Sequence, residues 1–329
     1  MAAARKVSRT GFWSVPSTRR RLAIIGLIVF LAVDVLLVGW AVMAHRTPSG
    51  EPAGMQSSAT GSATLAPSKS PAPSQTPTPT SVPQPDAVPP ARVLAALDGT
   101  FAWRSSVGSC PGAPVTPESS SDGGATWKPS NVAGPTNATA IIALHALTTE
   151  RASLVALSGA NCAPLFVQTY VGGDNWAAYP DQTGGAWFVN PANRAVVHSP
   201  QGDKTAPCPS VVDLAERDNT SAAVLCSNHT VFRTADAGAS WGTATDVPGS
   251  VALASAGNGY AIAVTGLRTC PGVAIATLDA GTSPVATGGC ASVPAPAAGA
   301  VALAGGGGTL WLWAGDALVR SDNAGVAWH

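Results

Sequence analysis

The octapeptide Thr234-Ala-Asp-Ala-Gly-Ala-Ser-Trp241 returns four more times along the chain in altered form. SSDGGATW spans Ser120 to Trp127, TYVGGDNW spans Thr169 to Trp176, TLDAGTSP spans Thr277 to Pro284, and SDNAGVAW spans Ser321 to Trp328. Their last positions lie 49, 65, 43 and 44 residues apart. The shared frame is Ser/Thr, any, Asp, any, Gly, any, Ser/Thr, Trp. The copies around Asp122 and Asp236 are complete. The copy at Asp279 has Pro284 for Trp, the copy at Val171 lacks the Asp and carries Asn175, and the last carries Asn323 and Ala327.

The frame has a physical logic. The Asp carboxylate can accept hydrogen bonds from the N–H groups of its own tight turn. The Gly (Gly124, Gly173, Gly238, Gly281, Gly325) supplies a positive φ. The hydroxyls (Ser120 with Thr126, Thr234 with Ser240, Thr277 with Ser283, and Thr169 and Ser321) can pair across two strand ends. The Trp is a large apolar plug that anchors the hairpin to its neighbour. On this reading the Asp is spent on architecture, and no metal or catalytic role is assigned to it.

Repeats at periods of 40–50 residues are the mark of arrays and propellers. The octapeptides resemble the Asp-box, or BNR repeat, over about residues 93–329. The resemblance implies an all-β propeller in which each box joins the third and fourth strands of a blade. Between the boxes, short strands broken by turns are expected independently at Ala140–Leu147, Ser153–Leu157, Pro164–Tyr170, Ser221–Leu225, Thr230–Thr234, Tyr260–Val264 and Leu310–Trp313. The spacing implies five to six blades. The 65-residue gap holds two extra strand-like runs, Ala186–Asn190 and Ala195–Ser199, either an insertion or half of a degenerate sixth blade. The last box ends one residue before His329. The last blade is therefore closed by strand exchange from near Val88–Leu97, or it stays three-stranded with an exposed edge.

Six cysteines, all in this body, suggest disulfides and an oxidising compartment. The midpoint of Cys208 and Cys226 is residue 217, in a turn-like run, and that of Cys270 and Cys290 is residue 280, in a box turn. Each pair can face across one hairpin, which leaves Cys110 with Cys162; free thiols are the alternative. No CxxC spacing or histidine cluster points to a metal, and no cofactor is expected.

Outward from the propeller the composition changes. Residues 45–92 form a stalk in which eleven of residues 47–91 are proline and none is aromatic, too little apolar surface to fold. Before it, the 23 residues Leu22–Ala44 are almost wholly apolar. At ~1.5 Å per residue they span a ~30 Å hydrocarbon core, as an uncleaved anchor or, alternatively, as a long signal peptide. Asp34 in mid-span is a handle for a partner helix or a tolerated protonated defect. Residues 1–21 carry six cations and no anion, so this tail is expected in the cytoplasm and the propeller outside the plasma membrane. Residues 93–329 carry nine cations and fifteen anions, which argues against a nucleic-acid partner. The Ala/Gly-rich composition resembles that of proteins from high-GC bacteria.

Two functions stay open. Sialidase-like glycoside hydrolysis needs an arginine cluster, a tyrosine–glutamate pair and an aspartate acid/base, and usually an Arg-Ile-Pro signature. The signature is absent, and Tyr170, Tyr179 and Tyr260 are the body's three tyrosines. No residue is assigned a catalytic role. Asp-box propellers without activity resemble photosystem II assembly factors and sorting-receptor ectodomains, which implies a binding or scaffolding role toward an envelope protein or glycan. Trp311 and Trp313 share one face of a strand and are either a ligand platform or packing between blades.

Overall fold

The computed structural model describes residues 86–279 and 284–329. The basic tail, the apolar span, the stalk up to residue 85, and Gly281 and Ser283 of the fourth octapeptide lie outside the described residues. Among the described residues no helix is long and apolar enough to cross a membrane.

Six antiparallel sheets follow one another along the chain. Blade 1 is β1 (Arg92–Ala96), β2 (Ala102–Ser106), β3 (Glu118–Ser120) and β4 (Lys128–Pro129). Blade 2 is β5 (Ala138–Ala146), β6 (Ala152–Ser158), β7 (Ala163–Thr169) and β8 (Ala177–Ala178). Blade 3 has three strands, β9 (Phe188–Val189), β10 (Val196–Ser199) and β11 (Gly202–Thr205). Blade 4 is β12 (Val211–Glu216), β13 (Ala222–Cys226), β14 (Thr230–Thr234) and β15 (Thr245–Asp246). Blade 5 is β16 (Ser250–Ala256), β17 (Gly259–Val264), β18 (Val273–Leu278) and β19 (Val285–Ala291). Blade 6 is β20 (Val301–Gly306), β21 (Thr309–Ala314) and β22 (Ala317–Ser321). The first strand of each blade packs against the first strands of its two neighbours, and β20 packs against β1, so the sheets close a six-bladed propeller.

Each junction between blades has its own apolar cluster, because a strand buries one face against each neighbouring sheet. Trp103, Leu154 and Trp176 fill the junction of blades 1 and 2, with the two indoles edge to face at 5.5 Å. The junction of blades 2 and 3 is the thinnest, built on Val155, Ala186 and Phe188.

The extra runs in the 65-residue gap are therefore a sixth blade, and one with reversed direction. Trp187 Nε1, just before β9, donates to Asp218 O beyond the end of β12, at 3.0 Å. Arg194, after β9, meets the start of β12 through Val211 N–H to Arg194 O at 3.0 Å. β9 thus runs opposite to β12 and to the other first strands. An odd count of three strands then returns the chain to the side where β12 begins.

Among the described residues no strand exchange closes the ring. β1 pairs only with β2 and is the first strand of its own blade, so Arg92 belongs to the fold and not to the linker. Among the described residues blade 6 has three strands, and His329 exchanges both main-chain hydrogen bonds with Arg320 beside β22. The seam between blades 6 and 1 is held instead by face packing. Arg92 lies 4.2 Å over the Trp313 ring, while Arg104 lies 5.1 Å from Trp313 and 4.1 Å over Trp127, an alternating cation–aromatic stack. Ahead of β1, Ala87 N–H donates to Ser227 O at 2.7 Å and Ala87 is buried among residues of blades 4 and 5, so residues 86–91 strap three blades together.

Candidate functional site

The five octapeptides lie after the third strands of blades 1, 2, 4, 5 and 6. In the first, Asp122 accepts Ser120 Oγ–H at 2.8 Å and Thr126 N–H at 2.9 Å, and Ser120 Oγ accepts Gly124 N–H at 2.8 Å. Asp236 accepts Thr234 Oγ1–H at 2.8 Å and Ser240 N–H at 2.9 Å in the same way. Asn323 keeps the pattern, accepting Ser321 Oγ–H at 3.0 Å and Ala327 N–H at 2.8 Å. The side-chain and backbone bonds of Thr126 hold the Asp122 carboxyl down at about 2, and those of Ser240 do the same for Asp236. In blade 2 only the Thr169 hydroxyl remains, accepting Gly173 N–H at 3.0 Å.

The four tryptophans pack against the apolar clusters between blades to different depths. Trp176 is buried and donates to Ser130 Oγ of blade 1 at 2.7 Å. Trp241 reaches Thr205 O of blade 3 at 3.1 Å. Trp127 and Trp328 are half-buried and turn back on the carbonyls of Gly124 and Gly325. The glycine makes the tight inter-blade contact. A Cβ on Gly173, at φ +88°, would stand 2.5 Å from the Trp103 ring, and one on Gly325, at φ +91°, would stand 2.7 Å from Ile275 Cβ. Gly173→Ala should therefore cost about 2–3 kcal/mol through overpacking and a strained φ. Urea unfolding checks this, with Gly159→Ala as reference, since Gly159 shares a positive φ of +68° but has open space around it.

All three expected disulfides form: Cys110–Cys162, Cys208–Cys226 and Cys270–Cys290. Trp311 is 0% exposed between blades 6 and 1 and donates to Asp98 O at 2.8 Å, and Trp313 is half-buried under Arg92 and Arg104. Neither offers an open ring face as a platform.

The ring centre holds the site. The first strands of five blades share a frame that alignment on the octapeptides does not expose: Arg92-Val-Leu-Ala-Ala96, Ile142-Ala-Leu-His-Ala146, Val212-Asp-Leu-Ala-Glu216, Val251-Ala-Leu-Ala-Ser255 and Val301-Ala-Leu-Ala-Gly305. The leucines Leu94, Leu144, Leu214, Leu253 and Leu303, with Trp187 in blade 3, form an apolar girdle across the axis. It divides an upper chamber of about 350 Å³, where five of the six first strands begin, from a lower one of about 390 Å³. Arg92, His145, Asp213 and Glu216 place charge-bearing groups in this frame; all four line the upper chamber, and His145 and Glu216 line the lower one as well.

Each of these charged groups has partners in the fold. A bulge between Val211 and Asp213 re-aims the Asp213 side chain. Its carboxylate accepts Leu214 N–H at 2.9 Å and, from blade 5, Leu253 N–H at 2.7 Å. Burial pushes Asp213 up to about 6, against the opposing pull of those N–H groups and of Arg194. Arg194 donates Nε to Val211 O at 2.6 Å and Nη2 to Val212 O at 2.9 Å. His145 and Glu216 lie 3.3 Å apart, joining blades 2 and 4 in front of the short third blade. A carboxyl raised in the fold stabilises it below about pH 4 and loses that contribution as pH climbs toward 6. The stability of wild type should thus fall by at most about 3 kcal/mol between pH 4 and 7 relative to Asp213→Asn. Denaturant midpoints across that range test this, and parallel curves for the two proteins would refute it.

The constellation of a sialidase does not assemble at this centre. Two arginines line the upper chamber, and no tyrosine lines either chamber. Tyr260 sits on β17, where burial raises it to about 12, the opposite of an activated nucleophile. Tyr170 and Tyr179 pack edge to face in blade 2 at 6.4 Å. Among the described residues no group of acidic, histidine or cysteine side chains has the geometry to hold a metal.

No protein-family model matches the chain. No curated protein sequence matches it. Among solved structures it is similar to YCF48 bound to a D1 peptide, at 18% identity over 74% of this chain and 69% of that one, with a TM-score of 0.28. It is similar to YCF48 from Cyanidioschyzon merolae at 17% identity over 72% and 70%, TM-score 0.27. It is also similar to a GH74 xyloglucanase from Xanthomonas campestris at 15% identity over 72% of this chain and 37% of that one, TM-score 0.27. Likenesses of this size carry no argument about activity, ligand or partner.

Proposed function

We propose that this protein is a membrane-anchored, extracytoplasmic propeller that binds or scaffolds an envelope protein or glycan without catalysing a reaction. One observation carries the reading. The ionisable groups at the ring centre are engaged by the protein itself, Asp213 by two N–H groups and Glu216 by His145. A general acid or base must be free to exchange a proton with a substrate, and a nucleophile must be activated by a neighbour. Those bonds give both carboxylates a role in the fold, and a chamber with apolar walls and a few placed polar groups is the ordinary form of a binding site. The three disulfides favour an oxidising compartment, and the apolar span at residues 22–44 supplies the anchor.

The test uses the full chain. Wild type and a chain lacking residues 22–44 are fractionated, and the deletion should move the protein from membrane to soluble fraction. The wild type in nanodiscs is assayed on a fluorogenic sialoside and used to capture partners from envelope extract. Turnover abolished by Asp213→Asn would overturn the reading. Recovery of one partner or glycan, lost when Ala143→Phe narrows the upper chamber, would support it.

A further inference from the structure

Two unlike charges flank the upper chamber. Blades 1 and 4 stand opposite one another in a ring of six, so Arg92 on β1 and Asp213 on β12 approach the chamber from opposite walls. Arg92 Nη1 donates to Gly315 O at 2.6 Å, which fixes the guanidinium, while Arg92 Nε is shielded from solvent and meets no acceptor in the protein. Asp213 takes one N–H on each oxygen, Leu214 on Oδ1 and Leu253 on Oδ2. Each oxygen therefore keeps room for a second donor. Arg194, beside Asp213, spends Nε and Nη2 on main-chain carbonyls and holds the turn after β9 in place. Between the two charges the wall is aliphatic, with Ile142 and Val189 among its members, and the leucine girdle forms the floor.

We propose that the upper chamber binds a small zwitterion with an apolar body, of the apolar amino-acid or dipeptide class, its ammonium on Asp213, its carboxylate on Arg92 and its side chains on the girdle. This deepens the reading of the ring as a binding module and rests on it. A wholly apolar ligand strips water from both charges without replacing it. A simple cation or anion engages only one of these two walls. A zwitterion meets both with charge-assisted hydrogen bonds. About 350 Å³ lies at the small end of ligand sites and suits one or two residues. Asp213, at about 6, is largely ionised at neutral pH and can hold an ammonium.

The experiment is calorimetric titration of the full chain in nanodiscs with leucyl-leucine, N-acetyl-leucyl-leucine and leucyl-leucine amide. The free dipeptide should bind, and acetylation or amidation should each weaken it by about tenfold or more. Asp213→Asn should weaken the free dipeptide to the same extent and leave the acetylated one unchanged. Ala143→Phe, which fills the chamber, should weaken all three. Should Asp213→Asn fail to fold, the two blocked dipeptides on wild type decide the matter. No binding at millimolar dipeptide, or equal affinity for free and blocked forms, overturns the proposal. Capture of a defined partner by the same protein together with that failure would retire the zwitterion while leaving the broader binding function standing.

Discussion

Trp311→Ala should destabilise the propeller by about 3–5 kcal/mol, the cost of emptying a fully buried aromatic site. The indole sits where the last blade meets the first, a seam with no shared strand among the described residues. It touches both sides. It grows from β21 in blade 6, donates to Asp98 O in blade 1 at 2.8 Å, and would stand 3.1 Å from a Cβ placed on Gly124 of blade 1. Arg320 covers it at 5.4 Å. Loss of the ring therefore removes apolar burial and leaves Asp98 O without its donor. For a body of this size the thermal midpoint should drop by about 10 °C. Val326→Ala, at a site 54% exposed, is the reference, and a Trp311→Ala loss no greater than that reference would remove the seam from this account.

Removing the Cys110–Cys162 bridge should have an effect of similar size. It joins the loop before β3 in blade 1 to the loop before β7 in blade 2, across 52 residues. The loop-closure model gives about 4 kcal/mol for that span, and about 3 kcal/mol for the hairpin bridges that close 18 and 20 residues. The double variant Cys110→Ala/Cys162→Ala should therefore lose more stability than either hairpin pair replaced in the same way. Denaturant unfolding of the three double variants under oxidising conditions gives the order, and a reversed order would show that native-state contacts, not chain constraint, set these contributions.

Much of the architecture is legible in the sequence because two signals agree. Turn chemistry fixes where a hairpin ends, and alternation fixes where a strand lies, so Thr230–Thr234 is read with the bounds it has in the fold. Two cysteine pairs were readable because each flanks a hairpin turn, so that Cys208 and Cys270, just outside their strands, come within reach of Cys226 and Cys290, and the third pair was what remained. The closure of the ring was not readable. Alternation tells which faces of Arg92–Ala96 are buried but not whether its edge joins blade 1 or blade 6. The third blade was only half visible, since β9 has two residues and the blade carries no octapeptide. The channel residues were missed for a different reason. Asp213, His145 and Glu216 look like ordinary strand polar positions until the five first strands are laid side by side, when each stands out as a titratable group against alanine, valine, serine or glycine in the other copies. The tryptophan pair Trp311 and Trp313 carried a false hint, because one face of a strand in a propeller is as buried as the other.

The reversed third blade makes the molecule two unequal arcs. Blades 1 and 2 form one, blades 4 to 6 the other, and each is a run of like-oriented hairpins that local zippering can assemble. The piece between them is the shortest, lacks a tryptophan-tipped turn, and meets blade 2 through the thinnest apolar cluster. It is held to blade 4 by Arg194, Trp187 and the adjoining Cys208–Cys226 bridge, so its polar and covalent anchors lie on the larger arc. The two arcs thus meet twice, at the seam of blades 6 and 1 and at this thinner contact between Val155 and Phe188, which lies beside the wall where His145 reaches Glu216.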